Sequence, residues 1–326
     1  MPLDPVAYHP YADPDDFIRE VTDLIWVDRA IGFIRENYEP DSIVHGGFGT
    51  SVGRDEVIEG SMMRIADHPD RISQAEDVIW EARGDDAFLS SHLVLSADWN
   101  NDFVSRTIAN CLYRRGRMVE EWVVRDALGI ALQLGQDPDE LARHKLFPGF
   151  TGSMTQPAPA DVIAAGDSGP RPDDHRPEVE MVLELIEEVW NQRGLEKVGS
   201  FMVRDLVLHT VGYRTIIRPE GYRRALLRMI RPFPAGQFEV RDVATNDDPR
   251  YAGLRIAVTW VFKGRYNGAA DFGPLTDSAV EILGVSQFLV QAGRIVREVR
   301  IYDEIALRTQ IAARRGDLPF ASTNIY

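Results

Sequence analysis

Gly116-Arg117-Met118-Val119-Glu120-Glu121-Trp122-Val123-Val124-Arg125-Asp126 and Gly293-Arg294-Ile295-Val296-Arg297-Glu298-Val299-Arg300-Ile301-Tyr302-Asp303 are two versions of one segment, set in the two halves of the chain. Each opens on a Gly-Arg pair, runs on with apolar residues at alternate positions and closes on Asp; Gln133 and Gln310 then match behind them. Upstream, a single constant shift lays Trp26 on Trp190, Arg29 on Arg193, Asp41 on Asp205, His45 on His209, Arg54 on Arg218 and Glu56 on Glu220 without a gap. That shift is smaller than the one relating the closing segments, so the second copy has gained residues between the two blocks. Solenoid units recur every roughly 20–50 residues, so repeats as long as these are whole domains. The chain reads as a first domain over 13–147, a Pro/Gly-rich linker over 148–177 and a second domain over 178–314.

Composition agrees with two globular units. The 326 residues are 44% hydrophobic and 27% charged, near the average for folded proteins. A net charge of −15 opposes docking on nucleic acid or an anionic membrane, which needs a basic patch. No apolar run approaches the roughly 18 residues of a membrane span. The stretch from Met1 to Asp16 carries Pro and Asp where a signal peptide would be basic and then apolar, so a cytoplasmic location is expected. The single cysteine, Cys111, can close no internal disulfide and reads as a small buried strand residue.

Periodicity sets the element types. Asp13-Pro14 is a helix start, and Phe17, Val21, Leu24, Ile31, Ile34 and Tyr38 follow at helical spacing, predicting one long amphipathic helix. Val179, Val182, Leu183, Ile186, Val189 and Trp190 repeat that stripe. A shorter helix follows in each copy, with Val57, Ile58, Met62 and Ile65 in one and Tyr222, Leu226, Met229 and Ile230 in the other. From about Glu76 to Asp126 and from about Gln237 to Asp303 the period becomes two, as in Ile256, Val258, Trp260 and Phe262. Helices first and strands afterwards is an α+β order. The inserted residues of copy two fall at Lys263 to Pro274, where a lengthened hairpin loop is cheap.

A long helix, a short strand ending in His, a Gly-containing turn and a helix, then strands closing on Gly-Arg-[Met/Ile]-Val-x-Glu and Asp, resembles the SnoaL-like polyketide cyclases of the ketosteroid isomerase and nuclear transport factor 2 superfamily. Phe272-Gly273-Pro274-Leu275-Thr276 resembles a loop typical of that family. The resemblance implies two tandem cone-shaped domains, each a curved antiparallel sheet around its long N-terminal helix and each with its own pocket. It also implies that the domains pack through their sheets as an internal pseudo-dimer, with further homo-oligomers open. The activity it implies is cofactor-independent acid–base chemistry of cyclase, isomerase or hydrolase type on a small hydrophobic carbonyl or polyketide-like compound. A non-catalytic ligand-binding or assembly module of the same fold is the alternative.

On that resemblance Asp126 and Asp303 are the acid/base candidates. Parity places Trp122, Val124 and Asp126 on one strand face, and Val299, Ile301 and Asp303 on its counterpart. A carboxylate closing an apolar row would have its pKa raised by burial; alternatively each Asp caps the following helix. His45 and His209, ending equivalent strands, could assist in proton transfer or serve as hydrogen-bonded structural residues. Arg54 and Arg218 could hold an acidic group at a cavity mouth or make surface pairs. Trp122, Trp99 and Trp260 could line a cavity for a planar ligand, whereas Trp26 and Trp190 read as core. No His/Cys spacing points to a metal. Gly46-Gly47-Phe48-Gly49 lacks the spacing of a nucleotide-binding loop.

Overall fold

The computed structural model of the protein describes residues 3–146 and 176–315. All but the last two residues of the expected linker lie outside the described residues. On either side stand two six-stranded sheets of identical strand order: β2-β1-β6-β5-β4-β3 in the first domain and β8-β7-β12-β11-β10-β9 in the second. Their strands are β1 (Tyr38–Gly46), β2 (Gly49–Val52), β3 (Ile72–Ala82), β4 (Ala87–Asp98), β5 (Phe103–Arg114) and β6 (Arg117–Arg125), then β7 (Met202–Thr210), β8 (Arg214–Ile217), β9 (Gln237–Asn246), β10 (Leu254–Arg265), β11 (Ala279–Gln291) and β12 (Arg294–Tyr302). The fold is α+β, two cone-like domains in tandem. One detail departs from the expected antiparallel sheets: β1 runs parallel to β6, and β7 to β12, so the sheets are mixed. The inserted residues of copy two lie in the β10–β11 hairpin, between Arg265 and Ala279.

The first helix, Pro14–Trp26, starts where the sequence says, with the Asp13 carboxylate accepting from the Asp16 N–H at 2.8 Å. It does not continue to Tyr38. Arg29 takes a left-handed φ of 60°, a second helix occupies Gly32–Asn37, and Tyr38 opens β1. The second domain breaks at the equivalent Arg193, φ 63°. In both, the guanidinium folds back onto the carbonyl three residues earlier, Arg29 onto Trp26 and Arg193 onto Trp190. Its other nitrogen reaches the chain before the third strand, at Arg71 O (2.6 Å) in the first domain and Gly236 O (2.5 Å) in the second. A cation on the last carbonyls of a helix satisfies orphan acceptors and opposes the helix dipole. The repeated Trp-x-x-Arg is thus a helix stop, which hydrophobic spacing alone cannot reveal.

Each sheet is buried on both faces. The inner face of the first packs Phe88, Ala109, Cys111, Tyr113 and Val123 against Phe17, Ile18, Val21 and Ile25 of the helix. The outer face packs Leu93, Ile108 and Val124 against Val261, Leu283, Val285, Val299 and Ile301 of the second sheet. Polar pairs cross the same contact. Gln287 donates to the Ser91 carbonyl at 3.0 Å, Arg83 to Asp242 at 2.9 Å, and the buried Arg255 to Asp77 at 2.5 Å.

Candidate functional site

Two devices make the first cone hollow and the second solid. At inward positions the first domain carries Val94 paired with Thr107, Ser96 paired with Ser105, and Ser73 paired with Ser96. The same ladder positions of the second domain carry Trp260 with Gly284, Phe262 with Ile282, and Phe238 with Phe262. Trp260 needs Gly284, because a Cβ there would collide with the indole. The rings of Trp190, Phe238, Trp260 and Phe262 stack edge to face or tilted, with centroids 4.7–5.9 Å apart. What remains is a void of about 30 Å³ beside Arg214, Arg300 and Tyr302, room for about one water. The first domain keeps a cavity of about 150 Å³, the size that admits a benzene ring in an engineered protein cavity. An outer cleft of about 350 Å³, under the turn Gly46–Gly49, shares Arg64 and Arg125 with it. The two domains therefore hold unequal pockets: aromatic side chains leave the second little room.

The cavity wall is chemically rich. His92 sits on β4, its Nδ1 3.3 Å from Ser90 Oγ, and burial without a nearby carboxylate pushes its pKa down to about 4. Glu121, on the inner face of β6, has its carboxyl pushed up by burial, opposed by Arg125 and Arg64. Arg125 lies further along the same strand face; burial lowers it to about 9, helped by repulsion from Arg64 and Arg71. His92 faces Ala109 on β5, and Ala109 faces Val123 on β6, so His92 and the Glu121 strand are two strands apart, about 10 Å between backbones. The small side chain of Ala109 stands between them. Among the described residues no cluster of three His, Cys, Asp or Glu side chains is placed to hold a metal ion.

Most residues singled out from the sequence lie elsewhere. Trp122 and Val124 share a face, as parity says, but it is the outer one: Trp122 stacks on His45 at 5.6 Å and packs against the inter-sheet cluster. His45 holds Thr50 through Nδ1 (3.0 Å) and Glu120 through Nε2 (2.8 Å). His209 holds Thr215 at 3.0 Å, on the face opposite the buried Leu208, and burial followed by Arg106 lowers its pKa. Trp260 is fully buried as the plug, and Trp99 is 72% exposed on the β4–β5 turn. Arg54 donates to the Arg35 carbonyl at 2.9 Å, and Arg218 is exposed where its helix begins. Neither arginine lines the cavity.

Asp126 does reach the cavity wall, but its oxygens are committed. Oδ1 accepts the N–H groups of Gly129 (2.8 Å) and Gly212 (2.7 Å), and Oδ2 that of Tyr213 (2.7 Å). Asp126 thus caps its own helix and holds the β7–β8 turn of the other domain. Asp303 caps equivalently through Ala306 N–H (3.0 Å) and supports the reciprocal turn, where a Cβ on Gly47 would be 2.8 Å from Asp303 Cβ. Burial raises the Asp126 carboxyl against these backbone donors, and the role that the contacts define is helix capping.

Burial raises the Asp303 carboxyl to about 6, opposed by the Ala306 N–H and Arg125, while the Asp126 charge adds to the rise. A folded-state pKa above the unfolded value means that the folded protein holds the extra proton between about 4 and 6, so this group adds stability as pH falls through that window. Urea midpoints at about pH 7.5 and pH 5 should therefore differ in this sense between the wild type and Asp303→Asn, the variant having lost this contribution. Equal differences in both proteins would contradict the assignment.

Residues 180–311 match the family model of SnoaL-like polyketide cyclases. The second domain is SnoaL-like. The first domain shares its strand order and carries the cavity that this SnoaL-like partner has filled. No curated protein matches the sequence. Among solved structures, a protein from Jannaschia sp. CCS1 described as a SnoaL-like polyketide cyclase is 19% identical over 42% of this chain and 92% of its own, with a TM-score of 0.38. One from Acidithiobacillus ferrooxidans described as a polyketide cyclase is 18% identical over 44% and 99%, TM-score 0.38. IdmH from Streptomyces antibioticus, also described as a polyketide cyclase, is 21% identical over 42% and 99%, TM-score 0.36.

Proposed function

We propose that the first domain is the active one and that it carries out cofactor-independent acid–base chemistry of cyclase or isomerase type on a small carbonyl compound. The observation that carries this reading is the asymmetry of the cones. The duplicated domain matching the SnoaL-like family is plugged, while its partner keeps a cavity bearing a neutral His and a half-buried Glu whose carboxyl is pushed up by desolvation. Such a pair suits proton transfer at carbon. His92, held neutral by burial, takes the proton from the carbon next to a carbonyl while Glu121, inclined by burial to hold its own proton, gives it to the oxygen; return of the oxygen's proton to Glu121 and of the His92 proton to the first or a second carbon restores both groups. The developing oxyanion gains from the Glu121 proton and from the positive field of the arginines lining the site. The second domain then serves as scaffold, through the turn that its Gly212 and Tyr213 anchor on Asp126.

The test needs no natural substrate. Single-ring ketones and β-keto esters in deuterium oxide should take up deuterium beside the carbonyl faster with the protein than in buffer, read by mass spectrometry. His92→Gln should lower that rate by about 100-fold or more, the usual scale of general-base removal. Exchange unaffected by the substitution would remove His92 from the mechanism. If no compound exchanged above the buffer rate, the enzymatic reading would give way to a binding module.

A further inference from the structure

Three arginines gather around the cavity of the first domain. Arg125, Arg71 and Arg64 all line it, and among the described residues none has a carboxylate within ion-pair distance. Arg64 donates one bond, to the Gly60 carbonyl at 2.7 Å. Arg71 lies over the Trp26 ring at 5.5 Å. The carboxylates that act on them stand beyond ion-pair distance: Glu121, whose carboxyl burial pushes toward the neutral form, on Arg125 and Arg64; Asp303, likewise pushed up by burial, on Arg125; and Asp67 and Asp98 on Arg71, Asp67 also on Arg64.

The second domain shows what a structural arginine looks like in this fold. There Glu298, the counterpart of Glu121, is paired at 3.0 Å with Arg300, which lies 4.8 Å from the ring centres of Trp190 and Tyr222. In the first domain the position of Arg300 is Val123, and that of Tyr302 is Arg125. The cationic group has moved along the strand, from a paired place in the core to an unpaired place between cavity and cleft. Burying a guanidinium without its counter-charge is strongly unfavourable, and three that crowd one small space repel one another. Such an arrangement has a use if an anion completes it, because guanidinium grips a carboxylate bidentately.

We propose that the cavity is a carboxylate site: a small organic acid places its carboxylate between Arg64 and Arg125, where cavity and cleft meet, and its ring or chain in the inner cavity. Ser73, Ser96 and Thr107 supply hydroxyls and Val21, Ile25 and Val94 the apolar wall. This names the substrate class of the site described above and rests on that reading for its location only. Binding is measured without turnover, so a failure here and a failure of catalysis are separate results.

The probes are benzoate, its neutral isostere benzamide, and inorganic phosphate, titrated calorimetrically into the full chain. Benzoate should bind with one-to-one stoichiometry, at least tenfold tighter than benzamide and than phosphate. Arg125→Met should weaken benzoate at least tenfold and raise the melting temperature of the ligand-free protein, because it removes a half-buried cation that Arg64 and Arg71 repel; a structural arginine would do the reverse. Arg64→Met serves as the second variant. The proposal is overturned if benzamide binds as well as benzoate, if phosphate binds as tightly, if benzoate does not bind, or if a folded Arg125→Met or Arg64→Met protein binds benzoate unchanged.

Discussion

Arg255→Ala should destabilise the protein by about 3–5 kcal/mol, the scale on which breaking a buried ion pair by removing one partner is felt. Arg255 is 1% exposed. It donates from Nη1 to Asp77 (2.5 Å) and the Val78 carbonyl (2.8 Å), and from Nη2 to Asn246 (2.7 Å). Its guanidinium also lies 4.0 Å from the centre of the Tyr251 ring. Asp77 and Val78 belong to the first domain and the others to the second, so the loss falls on the contact between domains. Removal leaves Arg297, at 2.8 Å, as the cation paired with Asp77. Urea unfolding followed by tryptophan fluorescence should show an earlier midpoint. The double variant Asp77→Ala/Arg255→Ala should cost less than the two single changes together, because neither charge is then stranded. Fully additive costs would mean that the pair is not coupled, and the contact would then rest on its apolar rows.

How legible all this was in the sequence depends on which face of a strand matters. The duplication, the element order and the lengthened hairpin of copy two were readable, because helical and strand periods differ and the closing segments from Gly116 and Gly293 align. The interior of the cones was not. β4 is buried at every position from Ala87 to Val94, and a strand covered on both sides does not betray its inner face by alternation. Trp122, Val124 and Asp126 made an apolar row ending in a carboxylate, but that row meets the other domain, while Glu121, Val123 and Arg125 line the cavity. A usable signal was present on β4. Ser90, His92 and Ser96 share a parity opposite to Leu89, Leu93 and Leu95, and a polar row inside a two-sided strand has to face a cavity or a network. Retention of His45, His209, Asp126 and Asp303 in both copies reflected shared structure: the turns and caps through which the domains hold each other are pseudo-symmetric, whereas the cavity is not.

The asymmetry makes the plug the decisive thing to move. Trp260→Ala should cost about 3–5 kcal/mol, as deleting a buried aromatic does, since Trp190, Phe238 and Tyr302 all pack near its ring and Gly284 gives them nothing to collapse onto. The reciprocal change is Val94→Trp with Thr107→Gly, which copies the Trp260–Gly284 pair into the first domain at the same ladder position. There the indole enters empty space, so the double variant should fold, resist urea at least as well as the wild type, and lose both benzoate binding and deuterium exchange. Val94→Trp alone should be the poorer protein, because the Thr107 side chain occupies the space that Gly284 leaves open, and overpacking of that kind costs about 1–3 kcal/mol. A plugged first domain that still bound and exchanged would move the site to the outer cleft, where Arg64 and Arg125 also face. One that lost both while gaining stability would show that the two copies diverged by filling one cone and keeping the other open.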